Sequence, residues 1–260
     1  MPRFFAQEGQ IGEKHILITG QDVNHIRNVL RMEIGDDVTV SDGKGTDYFC
    51  HIAEICKDRV ELDIQDSWPS YVELPSRIYL FQGLPKADKM DLIIQKTVEL
   101  GVFQVIPVIT ARTVVKLDQK KQEKRLERWQ AIAKSAAMQA GRGVIPQVGP
   151  FMSFREALDM CAGLGLGVMP YEKAAGMAEA KELVRSAPGY RDIGIFIGPE
   201  GGFEESEALA ARERGLHLIS LGKRILRTET AGMAMLSILM FSIEKDHSEA
   251  STEIDDSETK

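Results

Sequence analysis

Ile195-Phe196-Ile197-Gly198-Pro199-Glu200-Gly201-Gly202-Phe203 is the stretch whose reading decides the fold. An unbroken apolar run enters a turn with three glycines, and a helical pattern follows over 204–214. Continuous apolar strands are typical of a parallel sheet buried on both faces, where the chain must return through a crossover helix. The same pattern extends both ways. Downstream, 218–221 reads as a strand and 228–244 as a helix; upstream, strands over 78–81, 105–109 and 166–169 alternate with helices over 89–100, 119–140, 154–162 and 177–186. Such alternation implies an α/β domain with helices on both faces of its sheet.

Before residue 77 the periodicity changes. Strands are expected over 16–19, 38–41, 47–55 and 59–64, with one helix over 22–31 carrying Val23, Ile26, Val29 and Leu30 at helical spacing. Asp42-Gly43-Lys44-Gly45 joins two of the strands as a hairpin turn. Short strands with turns between them suggest a small barrel. Residues 67–75, with Pro69 and Pro75, read as a linker. The expected organisation is a β-rich domain over 1–72, an α/β domain over 73–245, and a polar, acidic tail over 246–260 expected to be disordered.

With 43 % hydrophobic residues, the 260-residue chain can bury proper cores. Cys50, Cys56 and Cys161 are odd in number and lack C-x-x-C spacing, so a cytoplasmic setting fits better than a disulfide framework. The histidines are scattered, and no metal site is expected. The apolar run 231–243 is too short to span a bilayer. A net charge of −7 disfavours nucleic acid, yet the tail alone holds six acids and one base. Within the body, bases cluster at Lys86 and Lys89, at Arg112 and Lys116, over 120–128, and at Lys223, Arg224 and Arg227. Local patches, not net charge, govern phosphate binding.

The second informative stretch is Leu221-Gly222-Lys223-Arg224-Ile225-Leu226-Arg227-Thr228-Glu229-Thr230-Ala231. It leads from a strand into a helix that Thr228 can cap. Lys223, Arg224 and Arg227 stand at the positive end of that helix dipole, where cations gain the fold little, so an anionic or electron-rich ligand accounts for them better. No P-loop is present, and Gly163-Leu164-Gly165-Leu166-Gly167 precedes its strand, which excludes the dinucleotide turn.

These two stretches resemble the RsmE family, SPOUT-class methyltransferases of small-subunit ribosomal RNA. The likeness extends to His25-Ile26-Arg27-Asn28-Val29-Leu30-Arg31 with Gly35-Asp36, to Lys89-Met90-Asp91, Gln95-Lys96 and Glu99-Leu100-Gly101, and to Trp129, Gln139, Arg142 and Pro146. The resemblance implies a PUA-like β-barrel followed by an α/β SPOUT domain with a trefoil knot, assembled as a homodimer. It implies S-adenosyl-L-methionine as cofactor and N3 of uracil 1498 in 16S ribosomal RNA as acceptor. Met169, Gly198, Pro199, Glu200, Gly201, Leu221, Gly222, Ile225, Leu226, Thr230 and Ala231 would then form the cofactor pocket. Arg227 would stabilise charge on the base, with Glu229 orienting it or accepting a proton. Arg3, Arg27, Arg31, Lys86, Lys89, Arg112 and Arg142 would contact RNA. The alternative that the basic patches equally allow is a non-catalytic RNA-binding or ribosome-assembly protein on the same fold; a nicotinamide-dependent oxidoreductase lacks its glycine turn.

Overall fold

The computed structural model describes residues 1–115, 118–174 and 176–244; Lys116 and the acidic segment 246–260 lie outside them. The chain divides into two units, one comprising Met1–Glu73 and Ala133–Pro146, the other Leu74–Ile132 and the chain from Gln147 onward.

In the first unit, β1 (Arg3–Phe5), β2 (His15–Thr19), β3 (Asp37–Ser41), β4 (Thr46–Ile55) and β5 (Arg59–Pro69) form one sheet in the order β1-β3-β4-β5-β2. Every pairing is antiparallel except β1 with β3. β2 buries Ile16 and Ile18 and exposes the residues between, the period of two that a half-buried strand requires. Those isoleucines join Phe4, Val38, Val40, Ile52, Val60 and Leu62 in a core that also holds Cys50. Burial there pushes the Cys50 thiol up to about 12. Two expectations are corrected. β5 continues through Ser67-Trp68-Pro69 instead of yielding to a linker; Pro69 is tolerated because it takes the last rung of the ladder, opposite Thr46. The expected ten-residue helix is a single turn, α1 (Gln21–Asn24), that widens over His25–Val29, where the Leu30 amide bonds back to the carbonyl of His25 at 2.9 Å.

The second unit runs β6 (Arg77–Gly83), α2 (Lys89–Glu99), β7 (Gln104–Ile109), α3 (Gln119–Gln139), β8 (Gln147–Val148), β9 (Met152–Ser153), α4 (Phe154–Ala162), β10 (Leu166–Pro170), α5 (Ala178–Ser186), β11 (Asp192–Ile197), α6 (Glu205–Glu213), β12 (His217–Ile219) and α7 (Thr228–Ile243). Residues of α3 from Ala133 onward belong to the first unit. The sheet is parallel throughout, in the order β12-β10-β11-β6-β7-β8, with the short β9 on β7. Its central strands are apolar on both faces. Phe81 and Phe196 face each other across β6 and β11 with rings stacked at 4.6 Å. The Ser153 hydroxyl caps α4 by accepting from the Glu156 amide, and the Glu156 carboxylate accepts from the Ser153 amide in return. α7 buries Met235, Leu236, Leu239 and Ile243, which accounts for the apolar run near the C-terminus. Among the described residues no helix is long and apolar enough to cross a membrane.

β12 ends at Ile219, which leaves Ser220 and Leu221 in the following loop. β10 lies between β11 and β12, so the chain leaves β10 toward one side of the sheet and later returns on the other. A reversal of this kind opens a crevice at the carboxyl ends of the strands.

Candidate active site

Pro170 pairs with Ile219, and Ile197 with Gln82, so β12, β10, β11 and β6 end side by side. A cavity of about 460 Å³ lies there, walled by residues 170–172, by the turn after β11, and by the loop leading into α7. Of the residues expected at the cofactor, Gly198, Pro199, Glu200, Leu221, Gly222, Ile225, Leu226 and Ala231 line it. Met169 is fully buried in the core, and its successor Pro170 supplies the wall instead. Gly201 and Thr230 are exposed and lie outside the lining.

The turn after β11 demands its glycines. The Gly202 amide bonds to the Pro199 carbonyl at 2.9 Å, with Gly202 at φ 67°. A Cβ on Gly198 would stand 2.9 Å from the Gly202 backbone, and one on Gly83 would stand 2.6 Å from the Pro199 ring. Only hydrogen fits at either place.

α7 is not capped as expected. Arg227, extended at φ −67° and ψ 154°, takes the N-cap position without a side-chain cap. Thr228 is buried, and its hydroxyl works across the cavity floor: it donates to the Gly198 carbonyl at 2.6 Å and accepts from Gln82 Nε2 at 2.9 Å. Gln82 was not singled out from the sequence. Its signal was a lone amide closing the apolar run Ile78-Tyr79-Leu80-Phe81.

Lys89, at the start of α2, sits between two carboxylates, 3.1 Å from Glu200 and 3.5 Å from Glu229. The hydrogen bond to Glu200 holds the Lys89 ammonium above its ordinary range. Burial works against charge on Glu200, yet its own backbone amide, Lys89 and the amide of Lys86 together hold its carboxyl below the usual range. The ion pair of Glu229 is therefore with Lys89, not Arg227. Lys223, Arg224 and Arg227 are exposed along the cavity wall and form no ion pair among the described residues.

The residues expected on RNA fall into two groups. In the first unit, Arg3 is paired with Asp47 at 2.6 Å, and buried Arg142 with Glu73 at 2.9 Å. Arg27 donates to the Lys57 carbonyl, and Arg31 is exposed at φ 53°. In the second unit, Lys86, Lys89 and Arg112 gather around the turn at 198–202, where Arg112 donates to the Gly201 carbonyl. Among the described residues no cluster of histidine, cysteine or carboxylate side chains is arranged to hold a metal ion.

Comparison with known proteins matches this arrangement. An RNA methyltransferase domain family matches residues 72–240, and an RNA methyltransferase PUA domain family matches residues 18–65. Ribosomal RNA small subunit methyltransferase E of Bacillus subtilis is 38 % identical over 250 residues, covering 94 % of this chain and 98 % of that protein. The crystal structure of the Neisseria gonorrhoeae ribosomal RNA small subunit methyltransferase E, bound to S-adenosyl methionine, is 35 % identical with a TM-score of 0.82, covering 93 % of this chain and 97 % of that one. A Legionella pneumophila methyltransferase in complex with the bound cofactor SAM is 29 % identical with a TM-score of 0.82, covering 92 % and 97 %. With its PUA-like first unit, its parallel-sheet second unit and relatives matched over nearly their whole length, the chain belongs to the RsmE family of ribosomal RNA small subunit methyltransferases.

Proposed function

We propose that this enzyme uses S-adenosyl-L-methionine to methylate N3 of uracil 1498 in the 16S RNA of the small ribosomal subunit, acting in the cytoplasm as a homodimer. The observation that carries this reading is the cavity at the ends of β10, β11 and β12, with Lys223, Arg224 and Arg227 on its wall forming no ion pair among the described residues. Its volume falls in the range of small-molecule sites, which runs over roughly 300–1,000 Å³. Apolar Ile197, Leu226 and Ala231 share the lining with Gly198, Gly222 and charged Arg227, a mix that fits an amphipathic cofactor. The Neisseria relative, bound to S-adenosyl methionine, supports that assignment.

Bound in this cavity, the cofactor supplies a methyl group activated by its sulfonium sulfur. The protein does the rest. Backbone groups of Gly198, Pro199, Leu221, Gly222, Ile225 and Leu226 hold it. Glu200 and Ala231 line the cavity, while Gly201, Thr230 and Met169 adjoin its lining residues in sequence. Arg227, on the cavity wall, would stabilise the charge that grows on the uracil oxygens as N3 releases its proton to solvent and takes the methyl group. Glu229 acts through Lys89, fixing the turn at 198–202 against α7. Lys86 and Arg112 take phosphates beside the site, with Arg27 and Arg31 on the PUA-like unit. Arg3, Lys89 and Arg142 are already held by carboxylates, so their part in RNA binding is indirect. The trefoil knot implied by the resemblance would lie in the C-terminal segment, which ends in α7 packed against α2, β11 and β6.

The test is transfer of labelled methyl to small ribosomal subunits from a strain lacking this protein, followed by mass spectrometry of the RNA. Label at N3 of one uracil is expected. Unlabelled RNA with the wild-type enzyme, or label on another base, would overturn the assignment.

A further inference from the structure

Glu207 is the N3 residue of the capping box that starts α6, a position usually open to solvent, yet it is only 7 % exposed. One carboxylate oxygen accepts from the Glu204 amide at 2.9 Å, as a capping box requires. The other leaves the helix and accepts from the Ala111 amide at 2.8 Å, on the loop that follows β7. That loop is itself closed into a turn: the Thr113 amide bonds to the Thr110 carbonyl at 3.0 Å, and the Thr113 hydroxyl accepts from the Thr110 amide at 3.0 Å. The turn presents Arg112, whose guanidinium donates to the Gly201 carbonyl, and whose stem would lie 3.2 Å from a Cβ on Gly201. The loop is thus fastened at two points, by Ala111 to Glu207 at the start of α6 and by Arg112 to the Gly201 carbonyl of the 198–202 turn. Arg112 is exposed and pairs with no carboxylate among the described residues. A guanidinium carries five donors in a rigid fork, so one can stay on Gly201 while others take a phosphate.

We propose that Glu207 and Arg112 form a latch through which RNA backbone bound at Arg112 steadies the cofactor-binding turn, so that RNA and cofactor strengthen each other's binding. Glu207 is the positioning residue and Arg112 the contact. This rests on the reading of the cavity as a cofactor site and adds the coupling between its two ligands. Linkage requires the effect to be reciprocal, and couplings of this kind typically span about 5–150-fold.

The experiment measures affinity for S-adenosylhomocysteine, the demethylated form of the cofactor, by equilibrium dialysis with and without saturating undermethylated small ribosomal subunits. In the wild type, subunits should tighten binding at least about fivefold. Glu207→Ala should bring that ratio close to one, while the salt dependence of subunit binding keeps its slope, because Arg112 is still present. Arg112→Ala should lose the ratio and also flatten the slope by about one unit. Glu207→Gln, which keeps an acceptor for Ala111, should recover most of the ratio and guards against a folding defect in the alanine variant. A wild-type ratio of one, or an undiminished ratio in Glu207→Ala, overturns the latch while leaving the cofactor site intact. Absence of any S-adenosylhomocysteine binding by the wild type overturns the cofactor site itself.

Discussion

The Thr228 hydroxyl donates to the Gly198 carbonyl at 2.6 Å, tying the first residue of α7 to the first residue of the glycine turn. The same oxygen accepts from Gln82 Nε2, which also bonds to the Gly83 carbonyl at 3.0 Å. The ends of β6 and β11 and the start of α7 are thereby joined through one buried hydroxyl.

Thr228→Val keeps the shape and removes that hydroxyl. The Gly198 carbonyl loses its donor and the buried Gln82 amide loses an acceptor, so urea denaturation should show a loss of about 1–3 kcal/mol. Thr228→Ser restores the oxygen and should recover most of it. Equal stability in the valine and serine variants would show that the hydroxyl contributes nothing.

Gly198→Ala places a methyl group 2.9 Å from the Gly202 backbone, which cannot yield as a flexible side chain can. The turn must shift, and calorimetry should show affinity for S-adenosylhomocysteine falling more than about tenfold, or 1.4 kcal/mol. Gly201→Ala meets the Arg112 side chain at 3.2 Å instead and should weaken binding less. The opposite ranking would mean that the turn at Gly198 does not shape the cavity.

Arg227→Ala should lower the rate of methyl transfer by about 10²–10³, the usual effect of deleting one group that stabilises transition-state charge. Cofactor affinity should stay within about tenfold. Single-turnover transfer of labelled methyl separates the two, and wild-type rates in this variant would remove Arg227 from the chemistry.

Acid and base act on the Lys89 cluster from opposite sides. The Glu200 carboxyl is held below its ordinary 4.5, so its contribution to stability is complete above that value and is lost as pH falls through the lowered one. The Lys89 ammonium is held above 10.5, so its contribution is complete below that value and is lost as pH rises through the raised one. Lys89→Met should move the carboxyl titration of Glu200 upward, seen by carbon-13 NMR, and shift the acid limb of the melting curve toward higher pH. An unmoved Glu200 titration would mean that its backbone donors alone set it.

How much of this was legible in the sequence can be judged residue by residue. The runs 193–197 and 78–81 announced buried parallel strands because every position was apolar, and the alternating strands and helices of the second unit follow from that periodicity alone. The two loops of the cavity were visible as glycine-rich and basic interruptions at strand ends. Tertiary structure decided the partners. Whether Arg142 meets RNA or Glu73, whether Glu229 faces Arg227 or Lys89, and whether Thr228 caps its own helix or grips Gly198 all depend on atoms far away in sequence. Strand and helix periods are local, fixed by backbone geometry and side-chain polarity over a few residues. A charge or a hydroxyl is satisfied by whatever the folded sheet order brings near it, and that order places β12 beside β10 and β6 beside β11, which no local pattern encodes.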